Sequence, residues 1–429
     1  MKIHLLSLGC PKNSVDSENL AGLLRSCGAE IVEDVLDAEV GIVNTCGFIQ
    51  PAVEESVSAI LDLELLKEKG ALGKIVVVGC LVNRYGEEMK KELPAVDVWA
   101  RAEEWKRVAE GLGLRGGAPA RGMLPETSSW SRYLKVGEGC DTFCSFCTIP
   151  SIRGRARSVP LPDLLAQGRL LAEQGAREIC LVGQDLTIYG KDLYGAPRIL
   201  DLLGGLEKEL PPDVWIRLLY LHPSRIDEAF IDCISGSRNV LPYLDIPIQH
   251  IDETVLRRMN RPDSEGHIRR VFAYAREKDP LFALRTTLIT GFPGETEAQF
   301  EKVLEFLQEA RIDRVGAFVY SPEEGTPAAR MKDQVDPAVR EERYRRLMEL
   351  QSGISLERQR LFEGRRLRVL VEEADAGEGY AWGRSYRDAP EVDGLVGIEG
   401  GGSLKPGSFV EVLVTDAAEY DLFSEIPRS

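Results

Sequence analysis

Short apolar runs alternate with helix-period stretches along the first third of the chain. "IHLLSLG" precedes a helical stretch from Val15 to Cys27, "EVGIVNTC" precedes one from about Pro51 to Lys69, and "KIVVVGC" precedes one from about Arg84 to Leu93. Continuous apolar runs between helices mark strands buried on both faces, as in a parallel sheet. The pattern therefore predicts an amino-terminal parallel α/β domain over residues 1–118. The segment "LRGGAPARGMLPETSS" (114–129) has no apolar period and reads as a linker. From Arg132 the alternation resumes. "YLKVGEG", "EICLVGQD", "WIRLLYL", "YLDIPIQ", "FALRTTLITG" and "RVGAFVY" are candidate strands, separated by helical stretches such as Leu161–Gln174 and Glu297–Ala310. Six such units, closed by a long charged helix from Pro337 to Phe362, predict a central six-unit (βα) partial barrel over residues 131–362. Beyond Glu363 the chain turns glycine-rich and loses helical period. "GRRLRVLVEEAD" and "GSFVEVLVTDAAEYDLF" predict a carboxy-terminal small antiparallel β-barrel over residues 363–429.

Composition narrows the class. With 429 residues, 44% hydrophobic and 28% charged, the chain has apolar material for more than one core. No run of about 18 apolar residues occurs, so no membrane span is expected. The opening "MKIHLLSLGCPKN" reads as a first strand rather than a signal peptide. The net charge of −16, from 53 basic and 69 acidic residues, fits simple solubility and argues against a nucleic acid as main partner. Nine cysteines, an odd number spread over the chain, do not suggest a disulfide framework. Thiolate metal ligands in a reducing cytoplasm fit better, and a cytoplasmic location is expected.

Cys140, Cys144 and Cys147 stand in "GCDTFCSFCTIP" with spacing C-x3-C-x2-C, directly after the first candidate barrel strand. Active sites of βα barrels lie at that end of the strands. A structural zinc site normally needs four protein ligands. Here the local count is three, and the nearest of only four histidines is His222. Three thiolates could instead hold an iron–sulfur cube and leave one iron open. Cys10, Cys46 and Cys80 each close a candidate strand of the first domain. Like ends of parallel strands lie along one edge, where ligand sites form. These three are either a second cluster site or three buried, inert cysteines. Cys27, Cys180 and Cys233 fall within helical or strand stretches and read as core.

The C-x3-C-x2-C loop in this barrel context resembles the radical S-adenosylmethionine (SAM) enzymes. "LGCPKNSVDSE", "NTCGFI" and "VVGC" resemble the amino-terminal domain of methylthiotransferases, and "CSFCTIPSIRGRARS", "LVGQD", "PIQH" and "ITGFPGET" resemble their radical-SAM domain. The tail resembles their TRAM barrel. The likeness covers nearly the whole chain. It implies two [4Fe-4S] clusters, held by Cys140, Cys144 and Cys147 and by Cys10, Cys46 and Cys80. It also implies SAM on the open iron of the first, as methyl donor and as radical source, with Phe146 near the adenine. "GCPKN" and "GFIQPAVEESV" resemble the branch that methylthiolates an aspartate of the twelfth small-subunit ribosomal protein, whereas the other branch modifies an adenosine of transfer RNA. The chemistry explains why two clusters are needed. The β-carbon of aspartate has no hydrogen acidic enough for a side-chain base, a radical can abstract it, and a second cluster with an open iron can hold sulfur where that carbon radical forms. A non-catalytic iron–sulfur or RNA-binding protein is a third reading.

Other residues are less specific. Gln184 and Asp185 either contact SAM or substrate or form a polar strand end. "TGFPGET" either approaches SAM or starts a helix, with Thr296 as N-cap and Gln299 at the third position. Arg153, Arg155 and Arg157 either pair with carboxylates of ligands or form a solvated face. His250 reads as a core histidine. The tail from Glu363 holds seven basic and fourteen acidic residues, which favours a basic ribosomal protein as partner over transfer RNA. An electron donor is the other expected partner, and no membrane is.

Overall fold

The computed structural model describes residues 1–117, 121–124 and 128–427. They form two compact units: residues 1–128 with 138–141 and 147–156, and residues 129–137 with 142–146 and 157–429.

In the first unit, β1 (Lys2–Ser7), β2 (Glu30–Val32), β3 (Val40–Thr45), β4 (Lys74–Gly79) and β5 (Val98–Ala100) form one sheet in the order β2-β1-β3-β4-β5. Every neighbouring pair is parallel. The helices are α1 (Pro11–Ser26), α2 (Gln50–Glu68), α3 (Cys80–Glu92), α4 (Trp105–Gly111) and the short α5 (Ile149–Arg153). Successive residues of β3 and β4 serve opposite faces of the sheet. Val40, Ile42, Val76 and Val78 join a core with Leu20 and Leu24 of α1, while Val43, Ile75 and Val77 join another with Ile60 and Leu63 of α2. That is why these strands read as unbroken apolar runs. The expected linker 114–129 lies partly outside the described residues. Its described part is anchored rather than loose: Arg121 pairs with Glu18, and Leu124 is buried against α1.

The second unit begins with β6 (Ser131–Lys135). The two-residue strands β7 (Gly137–Glu138) and β8 (Arg157–Ser158) bracket the cysteine loop in sequence. Then come α6 (Leu161–Glu173), β9 (Glu178–Val182), α7 (Lys191–Tyr194), α8 (Ile199–Glu209), β10 (Trp215–Leu218), α9 (Glu228–Gly236), β11 (Tyr243–Asp245), α10 (Glu253–Arg258), α11 (Glu265–Lys278), β12 (Ala283–Thr290), α12 (Glu297–Ala310), β13 (Arg314–Val319) and α13 (Pro337–Arg360). The six longer strands are parallel, in two three-stranded arcs, β10-β9-β6 and β11-β12-β13. A parallel bridge between Ile216 of β10 and Val240, just before β11, and a hydrogen bond from the Leu221 amide to the Asp245 carbonyl link the arcs. This is the expected partial barrel. The tail folds as a closed barrel of β14 (Arg366–Asp375), β15 (Tyr380–Arg384), β16 (Val396–Glu399), β17 (Phe409–Ala417) and β18 (Leu422–Glu425), in the order β14-β15-β16-β18-β17. Its pairs are antiparallel except β16 with β18, which run parallel. That pair closes the ring between strands the chain reaches in the same direction.

Charged side chains near the starts of the six parallel strands bind the small barrel. Glu178 takes Arg217 at 2.7 Å and Arg384 at 2.6 Å. Arg314 meets Asp388 at 2.9 Å, and Tyr243 donates to Asp393 at 2.7 Å. Asp313 accepts from Arg276, Arg358 and Arg387. Burial pushes the Glu178 carboxyl up, but Arg384 and Arg217 outweigh it and hold it at about 2. The three guanidiniums hold Asp313 well below the usual carboxylate range against the same burial. Removing one member of a buried ion network leaves its partners charged and unpaired. Asp313→Ala is therefore expected to destabilise the second unit by about 3–5 kcal/mol, seen as a lower denaturant midpoint. A loss under about 1 kcal/mol, the range of exposed pairs, would contradict this account of the interface.

Candidate functional site

Cys10, Cys46 and Cys80 stand at the carboxy-terminal ends of β1, β3 and β4, which are adjacent in the sheet. Cys10 is the N-cap of α1, and Cys80 is the first residue of α3. Both thus sit at helix amino termini. Two glycines set the approach. Gly9, at φ +90°, has room for no side chain: a Cβ there would lie 2.8 Å from the Cys46 Cβ. Gly79, at φ +113°, would place one 2.5 Å from the Thr45 carbonyl oxygen.

Asn13 ties the three ends together. Its Nδ2 donates to the carbonyls of Leu8 (2.9 Å) and Thr45 (3.0 Å), and its Oδ1 accepts from Arg153 and, at 3.8 Å, from the Cys80 thiol. Asn44 Nδ2 in turn donates to the Asn13 carbonyl and to Ser17 Oγ. Ser56 Oγ accepts from the Cys46 amide and donates to the Cys46 carbonyl, both at 3.0 Å. Burial pushes the Cys46 thiol up, and pushes Cys80 up to about 11 against the pull of Arg153. The three sulfurs are near enough that negative charge on Cys10 raises both others. Metal binding here would release protons.

The second cysteine set is divided between the units, with Cys140 and Cys147 in the first and Cys144 in the second. In the first, the Cys140 amide donates to the Gly154 carbonyl at 3.1 Å, and the Ile149 amide to Cys147 Sγ at 3.5 Å. In the second, Phe143 has φ 48°, and Asn260 Nδ2 donates to its carbonyl at 2.9 Å. Ser145 donates from its amide to the Met259 carbonyl and from its hydroxyl to the Arg258 carbonyl, both at 2.9 Å. Arg261 Nη1 lies 3.9 Å from Cys144 Sγ and is held by Asp263 and the Pro247 carbonyl. Cys140, Cys144 and Cys147 are all half-buried. Phe146 is half-buried against the barrel core, and Gln184 is half-buried just beyond β9.

Among the described residues, no three His, Cys, Asp or Glu side chains gather as they would around a single metal ion. Thiolates at the corners of a four-iron cube stand wider apart than the ligands of one ion. Three soft sulfur donors along one sheet edge, two of them at helix amino termini, suit such a cube in the amino-terminal set.

Several weaker expectations resolve. Arg153 is not part of a solvated face: it is buried and paired with Asp16 and Glu138, while Arg155 and Arg157 are exposed. Asp185 is taken up by Thr187 and by Arg225 at 2.6 Å. Thr296 and Gln299 form a reciprocal capping box on α12. Cys180 is fully buried, whereas Cys27 and Cys233 are half-buried. Asn13 follows Cys10 in "GCPKN", but its partners Thr45 and Cys80 lie far along the chain, so no local signal marks its role.

The pattern of the Radical SAM superfamily matches residues 134–307, that of the TRAM domain residues 364–426, and that of Uncharacterized protein family UPF0004 residues 2–101. The ribosomal protein uS12 methylthiotransferase RimO of Geobacter sulfurreducens is 43% identical, covering 99% of this chain and 98% of its own. That of Aquifex aeolicus is also 43% identical, covering 98% and 96%. The chain belongs to the RimO family of radical-SAM methylthiotransferases. It is thus an enzyme of a class that uses an iron–sulfur cluster and SAM. The radical SAM methyltransferase TsrM of Kitasatospora setae, solved with cobalamin and a [4Fe-4S] cluster, has a TM-score of 0.57 at 15% identity and covers 76% of each chain. At that identity the likeness is one of fold. No helix among the described residues is long and apolar enough to cross a membrane.

His250 gives a pH signature to the second unit. It is buried, and its Nδ1 accepts from the Asp252 amide at 2.9 Å, so the neutral ring carries its proton on Nε2. Burial holds its pKa down at about 3. A histidine depressed in the folded state contributes stability that is complete above its unfolded pKa of about 6.5 and is lost as pH falls toward the folded value. At pH 5 the loss is about 2 kcal/mol. His250→Asn keeps an acceptor for the Asp252 amide and cannot titrate. Denaturation at pH 7.5 and 5 is expected to show a smaller acid loss in this variant; equal losses would refute the assignment.

Proposed function

We propose that the chain methylthiolates the β-carbon of an aspartate in ribosomal protein uS12. Cys140, Cys144 and Cys147 would hold one [4Fe-4S] cluster with SAM, and Cys10, Cys46 and Cys80 a second. The observation that carries this reading is the 43% identity over nearly the full length of relatives that bear that activity in their names. When bound, these groups supply one-electron cleavage of SAM, hydrogen abstraction from an unactivated carbon, and sulfur with a methyl group. The chain's own part is placement. Asn13 and Ser56 fix the strand ends that carry Cys10, Cys46 and Cys80, and Asn260 and Ser145 fix the loop around Cys144. Phe146 and Gln184 would contact SAM. An external electron donor is needed, and the reaction belongs in the reducing cytoplasm where ribosomal proteins are made.

Anaerobic reconstitution is expected to give about eight irons per chain, two four-iron cubes. Replacing Cys140, Cys144 and Cys147 with Ala leaves about four and abolishes 5′-deoxyadenosine formation. Replacing Cys10, Cys46 and Cys80 keeps deoxyadenosine formation and stops sulfur transfer. The product is checked by mass spectrometry of uS12, whose aspartate peptide gains one sulfur and one methylene. A uS12 unchanged by active, reconstituted enzyme would sink the reading.

The small barrel bears on the partner. Two basic and two acidic residues of the tail, Arg384, Arg387, Asp388 and Asp393, have buried side chains, so the acidic excess stays with the others. Glu373, Glu399 and Glu425 are exposed, and the last two lie side by side in register. An acidic surface steers a basic protein. Binding to uS12 is expected to weaken between about 0.05 and 0.2 M salt and to associate more slowly after Glu373→Lys, Glu399→Lys and Glu425→Lys. Tight transfer-RNA binding without uS12 affinity would instead favour the nucleic-acid reading.

A further inference from the structure

Every donor nitrogen of Arg153 is engaged inside the first unit. Its Nε donates to Cys80 Sγ at 3.1 Å. Its Nη1 donates to Asp16 Oδ2 and to Glu138 Oε2, both at 2.8 Å, and its Nη2 donates to Asn13 Oδ1. The side chain is 3% exposed. A buried guanidinium that served only to pair carboxylates would present its two-pronged edge to one of them. Here two carboxylates from different segments and one amide oxygen hold the fork, and the Nε–H faces a sulfur. The carboxylates thus fix the cation's orientation, and the sulfur receives a directed hydrogen bond. A lysine has no planar fork and could not serve four acceptors in this geometry.

Hydrogen bonds to ligand sulfurs and the net charge nearby set the potential of a thiolate-held cluster. A donor on sulfur and a fixed positive charge both favour the electron-rich, reduced state. We propose that Arg153 is a positioning residue for the amino-terminal cluster, orienting Cys80 and raising the cluster's reduction potential, with Asp16 and Glu138 setting how far. The proposal rests on the reading that Cys10, Cys46 and Cys80 hold a cluster. Two variants of the full chain separate its parts. In Arg153→Lys the ammonium follows the carboxylates, which are stronger acceptors than sulfur, so Cys80 loses its donor while the charge stays. In Asp16→Asn the guanidinium stays on sulfur, and one neighbouring negative charge is lost.

The measurement is an anaerobic redox titration followed by electron paramagnetic resonance. The other cluster is recognised by the change SAM makes in its signal. Arg153→Lys is expected to make the amino-terminal cluster tenfold harder to reduce, a midpoint lower by about 59 mV for one electron. Asp16→Asn is expected to move the midpoint upward, and the SAM-responsive cluster keeps its value in both. Opposite shifts cannot come from a general loosening of the fold. Midpoint shifts that correspond to less than a twofold change in the reduction equilibrium in both variants, or shifts of the same sign, overturn the role of Arg153. If Arg153→Lys does not retain iron, Asp16→Asn decides alone: an upward shift supports the role, and an unchanged or lower midpoint overturns it. Iron content tests the underlying reading separately. If alanine at Cys10, Cys46 and Cys80 removes no iron, that reading fails, whereas a normal iron count with an unmoved midpoint rejects only Arg153.

Discussion

Parallel pairing is the constraint on which the rest of this protein depends. It forces neighbouring strands to end along one edge, so a residue that follows each strand meets its counterparts without any long-range device. In the first unit β1, β3 and β4 are adjacent and aligned, and Cys10, Cys46 and Cys80 follow them. The cores on both faces of that sheet make the alignment stiff. A one-residue slip would exchange the faces of every side chain in a strand, so register and thiol position are set together.

Alignment alone brings the thiols to one edge but leaves each free to turn. What fixes them is a small set of buried polar groups that hydrogen-bond to one another and to the strand ends. Asn13 spans two strand ends with its amide and takes Arg153 on its oxygen. Buried polar groups that are fully satisfied rigidify a site, and half-satisfied ones weaken it. Gly9 and Gly79 complete the packing, because at each a side chain would collide with the neighbouring cysteine loop.

The second unit applies the same division of labour to a barrel. Its strand starts are occupied by ion networks with the small β-barrel, whereas Cys144 and Gln184 follow strand ends. Buried ion pairs add little net stability over apolar packing, because desolvation offsets much of the attraction. They do demand one geometry, since a displaced barrel would leave Glu178, Asp313 or Arg314 charged and unpaired. The buried ions thus tie the small barrel to one orientation on the strand starts.

Local pattern by itself determined much of this. The apolar runs of β3 and β4, the six barrel strands, the capping box at Thr296 and the cysteine spacings are properties of neighbouring residues, and periodicity or turn chemistry exposes them. The sequence pattern places the start of α3 near Arg84 rather than at Cys80, because a helix that starts on a cysteine after a glycine at positive φ carries no ordinary N-cap signal. Only the tertiary structure decided the fate of the charged and polar residues. In sequence Arg153 is one of three similar arginines, and nothing local separates it from exposed Arg155 and Arg157. Its partners Asp16, Asn13 and Cys80 lie far away along the chain. The same holds for the small barrel, where Arg384 and Asp388 read as surface charges until Glu178 and Arg314 are seen beside them. An apolar residue announces its burial by its own chemistry, whereas a charged residue is buried only where a distant partner offsets its desolvation. Pairings of that kind are settled by the fold.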